Sequence, residues 1–156
     1  EALDGRSALG STYPGIKVGF VTATEAALSL GDTARVEKLF SLPTAFGAGE
    51  TTPYWRAQAS RLEARFSMAR GESDAVEPGF KTAAGLFREI GIPFWLGVTL
   101  TEHGEWLGEQ GRTDEGEPLL DEARGLFDRL GAVPWRDRAD RAAGARAVVS
   151  SVSQES

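Results

Sequence analysis

The chain of 156 residues has the length of one ordinary domain, and it can bury enough apolar surface to fold without disulfide bonds. It contains no cysteine, which excludes disulfide frameworks, thiolate metal sites and cysteine nucleophiles. Its 17 basic and 23 acidic residues give a net charge of −6, the wrong sign for a protein that neutralises the phosphates of a nucleic acid.

The sequence shows no segment that would target or anchor the chain in a membrane. The longest apolar stretch without a charged residue, residues 90–101, is shorter than the roughly 20 residues that a transmembrane helix requires. No basic start is followed by an apolar run, so no signal peptide is predicted, and we expect a cytoplasmic location. Because the chain begins at Glu1 and its only methionine is Met68, we expect it to be a piece of a longer protein.

The first predicted element is a helical hairpin that follows a polar N-terminal segment. Its helices are expected at about residues 14–30 and 33–42. Gly31 separates them and can adopt the left-handed conformation that ends a helix. Pro43 is expected to stop the second helix.

The next two elements are copies of one hairpin. A shift of 40 residues aligns residues 53–91 with 93–131 without a gap, and 11 of these 39 positions are identical. A period near 40 with helical punctuation predicts an array of helical hairpins.

Proline and glycine mark the ends of the helices in both copies. Pro53 and Pro93 are expected in the first turn of the first helix, and Gly71 and Gly111 just after its end. The second helices are expected to start with capping boxes formed by Asp74 with Glu77 and by Asp114 with Glu117. Their predicted apolar faces consist of Val76, Phe80, Ala83, Phe87 and Ile90 in one copy and of Leu119, Leu120, Ala123, Phe127 and Leu130 in the other.

A last helix is predicted after the third hairpin. Pro134 and Trp135 repeat the opening of a unit, and apolar positions continue to Val149 without a second helix to pair with. We expect this helix to cover the open end of the stack. The predicted organisation is a flexible segment over residues 1–12, a single repeat domain over 13–149 with hairpins at 14–47, 52–91 and 93–131 and a cap helix at 134–149, and a flexible tail over 150–156.

The repeated pattern resembles the tetratricopeptide repeat. That family favours a small residue in its first helix, glycine between the helices and small residues in the second, as with Gly104, Gly111 and Ala123 here. Residues 86–97 and 119–132 are similar to arrays near the C-terminus of large actinobacterial signalling ATPases and regulators linked to adenylate cyclases. The resemblance implies an all-α fold, an α-α superhelix (solenoid) of about three hairpins plus a cap helix. It implies a scaffold and no particular chemistry.

Two short patterns that can carry chemistry favour a structural interpretation. His103 and Glu105 form part of a zinc-deaminase signature whose remaining ligands are cysteines, which the chain lacks. Residues 47–52 look like the end of a phosphate loop, but Glu50 replaces the required lysine. We therefore predict no catalytic residue, no metal ligand and no cofactor.

Oppositely charged residues occupy equivalent first helices of neighbouring hairpins. These are Arg61, Arg65 and Arg70 in one, and Glu102, Glu105 and Glu109 in the next. Two interpretations are open: an inter-repeat ladder of ion pairs, which we prefer, and a site for a cation or a basic peptide. Trp55, Trp95 and Trp135 recur at the start of first helices and are expected to pack on the preceding second helix, Trp95 on Phe87 and Ile90, and Trp135 on Phe127 and Leu130.

The leading functional hypothesis is a non-catalytic scaffold that binds a peptide, a protein or another domain of the parent chain in a groove lined by the first helices. The mixed charge of these helices favours a polar or zwitterionic peptide. The predicted groove residues are Gln58, Arg61, Arg65, Thr101, Glu102 and Glu105.

The second hypothesis is a module for self-association or intramolecular docking. The helix at residues 14–30 is more apolar around its circumference than one buried stripe requires, so the first hairpin is expected to dock on another copy or on the parent's ATPase or cyclase domain. An enzyme is the third hypothesis, because the sequence shows no nucleophile–base pair, metal-ligand cluster or phosphate loop.

Overall fold

The computed structural model describes residues 14–44 and 52–154, and the regular structure in these ranges is α-helical, which confirms the all-α class. The predicted flexible segment at residues 1–12 and most of the predicted loop at 47–52 lie outside the described residues. The helices are α1 (Pro14–Ser29), α2 (Thr33–Thr44), α3 (Pro53–Arg70), α4 (Ser73–Glu89), α5 (Pro93–Glu109), α6 (Thr113–Leu130) and α7 (Val133–Gln154).

Five of the turns between these helices have one geometry, in which a glycine with a φ between 65° and 73° follows the helix. These glycines are Gly31, Gly71, Gly91, Gly111 and Gly131. After α3, the N–H of Gly71 donates to the Met68 carbonyl at 3.1 Å and the N–H of Glu72 to the Ser67 carbonyl at 2.9 Å. This is a Schellman motif, which requires the left-handed conformation that glycine adopts without strain. The predicted helix ends at Gly71 and Gly111 are confirmed.

Gly71→Ala is expected to lower the free energy of unfolding by about 1 to 2 kcal/mol, the cost of a left-handed backbone for a residue with a Cβ. A Cβ at this position has no atom within 4 Å, so the backbone is the only source of the penalty. Urea unfolding measures the change. Gly85→Ala is the control, because Gly85 lies in open space inside α4, and alanine there should stabilise the helix by roughly 0.5 to 1 kcal/mol. A stabilising effect of Gly71→Ala would contradict the motif.

The first helices start as predicted, and the second helices do not. Pro53 and Pro93 lie in the first turns of α3 and α5, and the hydroxyl of Thr52 accepts the N–H of Trp55 at 3.3 Å. The capping boxes at Asp74 and Asp114 are wrong, since both residues lie inside the first turn of α4 and α6. A carboxylate there still stabilises the helix through its dipole.

Two helices continue past their predicted ends. Helix α2 includes Pro43 and ends at Thr44, because a proline keeps helical φ and costs little near the end of a helix. Helix α7 continues past Val149 to Gln154, so the predicted tail is mostly helical. Residues 145–154 contain no proline or glycine that would end it.

The chain divides into two compact units, Glu1–Leu86 and Phe87–Ser156. In unit 1, aromatic rings join the two hairpins. The Phe20 ring of α1 lies 4.4 Å from the ring of Trp55 and 5.9 Å from that of Phe40, whose centroid lies 6.0 Å from Phe66. Trp55 was expected to pack on the second helix of the preceding hairpin, whereas the ring partner found is Phe20 of the first helix, α1. Its packing on α2 stays a prediction.

In unit 2, glycines allow α5 to approach α6 closely. A Cβ added at Gly97 would lie 2.8 Å from the ring of Phe127, and one at Gly104 would lie 2.9 Å from the Leu120 side chain. The ring of Trp135 in α7 stacks on Phe127 with centroids 6.0 Å apart, as predicted. The predicted packing of Trp95 on Phe87 and Ile90 stays a prediction.

The predicted apolar faces of α4 and α6 are largely confirmed. The buried members are Val76, Phe80, Ala83, Phe87, Leu120, Ala123 and Phe127, and the half-buried ones are Ile90 and Leu119. Leu130 was predicted wrongly, since it is 45% exposed. It is the last residue of α6, where the chain reverses at Gly131 and the apolar stripe reaches the edge of the packed surface.

Candidate functional site

A cluster of charged side chains joins the two hairpins of unit 1. Arg61 and Arg65 are four residues apart and therefore lie on one side of α3. Nη2 of Arg61 donates to Oε1 of Glu25 in α1 at 2.7 Å, and Nη1 of Arg65 donates to the other carboxylate oxygen. The Arg61 side chain is 1% exposed and that of Glu25 is 31% exposed. The cluster is thus partly desolvated, which strengthens its electrostatic attraction.

The cluster continues along α3 through uncharged polar groups. Nη1 of Arg61 donates to Oε1 of the buried Gln58 at 3.4 Å, and Nε2 of Gln58 donates to the Tyr54 hydroxyl at 3.1 Å. Residues 54, 58, 61 and 65 follow helical spacing. They form a continuous polar row, called here the α3 polar row.

Two opposing effects act on the pKa of Glu25. Burial disfavours the charged carboxylate and raises its pKa, while the adjacent Arg61 and Arg65 guanidiniums lower it by charge attraction and by their hydrogen bonds. The arginines together outweigh burial, and the pKa lies below its ordinary value of 4.5.

Acidification is expected to lower the free energy of unfolding, because it protonates the Glu25 carboxylate. Because the folded-state pKa is the lower one, this contribution is fully present above the ordinary value of 4.5 and is lost as the pH falls through the folded-state pKa. Urea unfolding at a series of pH values should show stability falling below about pH 5, and falling less steeply in Glu25→Gln than in the natural sequence. Equal slopes in the two proteins would exclude Glu25 as a source of the acid sensitivity.

In unit 2, a second ion pair joins α5 to α7. Nε and Nη2 of Arg138 donate to the two carboxylate oxygens of Glu105 at 2.8 and 2.7 Å, a bidentate geometry. The Arg138 guanidinium also lies over the Trp135 ring, 4.8 Å from its centroid. This cation–π contact holds the guanidinium in place, so the pair is geometrically fixed at the half-buried edge of α5.

Helix α5 buries polar residues in its middle turns. Thr101, Glu102 and His103 are all buried, and the Thr101 hydroxyl donates to the Gly97 carbonyl at 2.9 Å. Burial of three consecutive polar residues follows from their place in the middle of α5, whose residues 96–104 are all buried.

The six predicted groove residues fall into two sets. Gln58, Arg61 and Arg65 lie together in the α3 polar row of unit 1. Thr101, Glu102 and Glu105 lie on α5 in unit 2. A partner-binding role for the six residues stays a prediction, as does the pairing of the arginine row with Glu102 and Glu105.

Three members of these clusters were missed in the sequence: Glu25, Tyr54 and Arg138. A signal for Glu25 was present, because Glu25, Arg65 and Glu105 are spaced by 40 residues and alternate in charge. Arg138 gave no such signal, since it lies 33 residues from Glu105 and no repeat offset connects them.

Exposed apolar side chains on the first hairpin bear on the docking hypothesis. In α1, Phe20 and Val21 are buried, while Val18 is 65% exposed, and Leu30 in the following turn is 82% exposed. Twelve residues of helix separate these two side chains by about 18 Å. They are two separate apolar points rather than one patch.

The described parts of the chain show neither a metal-ligand cluster nor a helix able to span a membrane. Within residues 14–44 and 52–154, no group of three or more histidine, aspartate or glutamate side chains is arranged to hold a metal ion. None of the helices described above combines the length and the hydropathy needed to cross a membrane. No protein-family model, curated protein or solved structure matches the chain.

Proposed function

We propose that the chain is a non-catalytic helical-repeat scaffold that binds a protein or peptide and serves as a regulatory part of a larger multidomain signalling protein. The observation that carries this proposal is the use of charged side chains to join consecutive hairpins. Glu25 connects α1 to α3, and Glu105 connects α5 to α7. Each ion pair holds a first helix against the first helix of the next repeat. A recognition surface requires such a fixed arrangement.

The repeated turn geometry supports the same proposal. The five turns share one glycine conformation, and a chain built from repeated hairpins is expected to repeat its turns in this way. A tetratricopeptide-like solenoid is the architecture that best uses this regularity, and it presents side chains of neighbouring first helices to an extended peptide. Among the predicted groove residues of α3, Arg65 is half-buried while Gln58 and Arg61 are buried, so Arg65 is the one that a peptide can reach at least cost.

Selection from a library of random peptides displayed on phage tests the scaffold function. We expect the immobilised chain to enrich peptides with a common motif after removal of binders to an unrelated helical protein. An enriched peptide, labelled with fluorescein, should bind with micromolar affinity, and Arg65→Gln should weaken it by about tenfold, or 1.4 kcal/mol. Arg129→Gln is the matched control, since Arg129 is exposed on α6.

Failure to enrich any shared motif would refute the scaffold proposal. Binding that resists Arg65→Gln would place the site elsewhere and refute the groove. Circular dichroism of Arg65→Gln establishes that the variant is folded before the comparison is made.

Self-association through the first hairpin is the second candidate function, and the exposed Val18 of α1 is the apolar contact that it would use. Sedimentation velocity over a range of concentrations separates it from the first. A dimer that Val18→Ser converts to a monomer would support self-association. A chain that stays monomeric at all concentrations would exclude it.

A further inference from the structure

We draw no further inference here: the strongest candidate, the apolar surface patch at the turn between α6 and α7, where the side chains of Leu130 and Val133 are 45% and 50% exposed, carries nothing, because nothing in the structure shows what covers it.

Discussion

Glu25→Gln is expected to destabilise the chain by roughly 2 to 4 kcal/mol, at or somewhat below the usual cost of removing one member of a buried ion pair. The substitution keeps the shape of the side chain and removes the negative charge that contacts both guanidiniums. Arg61, with a side chain 1% exposed, bears most of the cost. Arg65 is 24% exposed and can regain water, which is why the expected range extends below that of a fully buried pair.

The matched control is Glu37→Gln. Glu37 in α2 also pairs with an arginine of α3, Arg70, at 3.3 Å, but both side chains are exposed. An exposed pair contributes about 0 to 1 kcal/mol, so this variant should unfold at nearly the same urea concentration as the natural protein. Burial is the variable that distinguishes the two substitutions.

A double substitution separates the charge effect from packing. Glu25→Leu together with Arg61→Met removes the Glu25–Arg61 pair and leaves Arg65, which is 24% exposed and can regain water. It should recover most of the stability lost in Glu25→Gln, because apolar replacement of a buried pair is often neutral. If Glu25→Gln and Glu37→Gln lower the free energy of unfolding by the same amount, the α3 polar row does not depend on Glu25. If the double variant is less stable than Glu25→Gln, packing around Arg61 decides the stability instead.

Much of the fold could be predicted because its signals are local and repeated. A glycine that follows a helical stretch determines where the helix ends, as at Gly71, and the 3.6-residue period determines which side of α4 is buried, as at Phe80. Leu130 was predicted wrongly because periodicity does not show where a partner surface stops. Asp74 was misplaced because the capping-box pattern fixes the start of a helix only to within about a residue.

The polar clusters could be predicted only in part. The rows of charge on α3 and α5 were visible, since residues four apart share one side of a helix. Of their partners, Glu25 carried a signal, because it lies one repeat length, 40 residues, before Arg65. Arg138 carried none, because it lies 33 residues after Glu105 and the register of that pair depends on how α7 packs.

Gly104→Leu is expected to destabilise the chain by about 3 kcal/mol or more, at the upper end of the cost of overpacking a core. A Cβ at this position already lies 2.9 Å from two side-chain atoms of Leu120, which is itself fully buried and has no free space to move into. Leucine would add three more carbon atoms in the same direction. The helices α5 and α6 would have to separate, and the apolar contact between them would be lost.

Gly144→Leu at the equivalent position of α7 is expected to have the opposite sign. No atom lies within 4 Å of a Cβ there, and leucine is a better helix former than glycine, so the free energy of unfolding should rise by roughly 0.5 to 1 kcal/mol. Thermal and urea unfolding of the two variants, measured together, compare the same substitution at the same place in the repeat. Loss of stability in both would mean that another segment of the chain covers Gly144. Opposite signs would mean that a side chain at position 104 meets α6 and that one at position 144 is free of close contacts, as the structure shows.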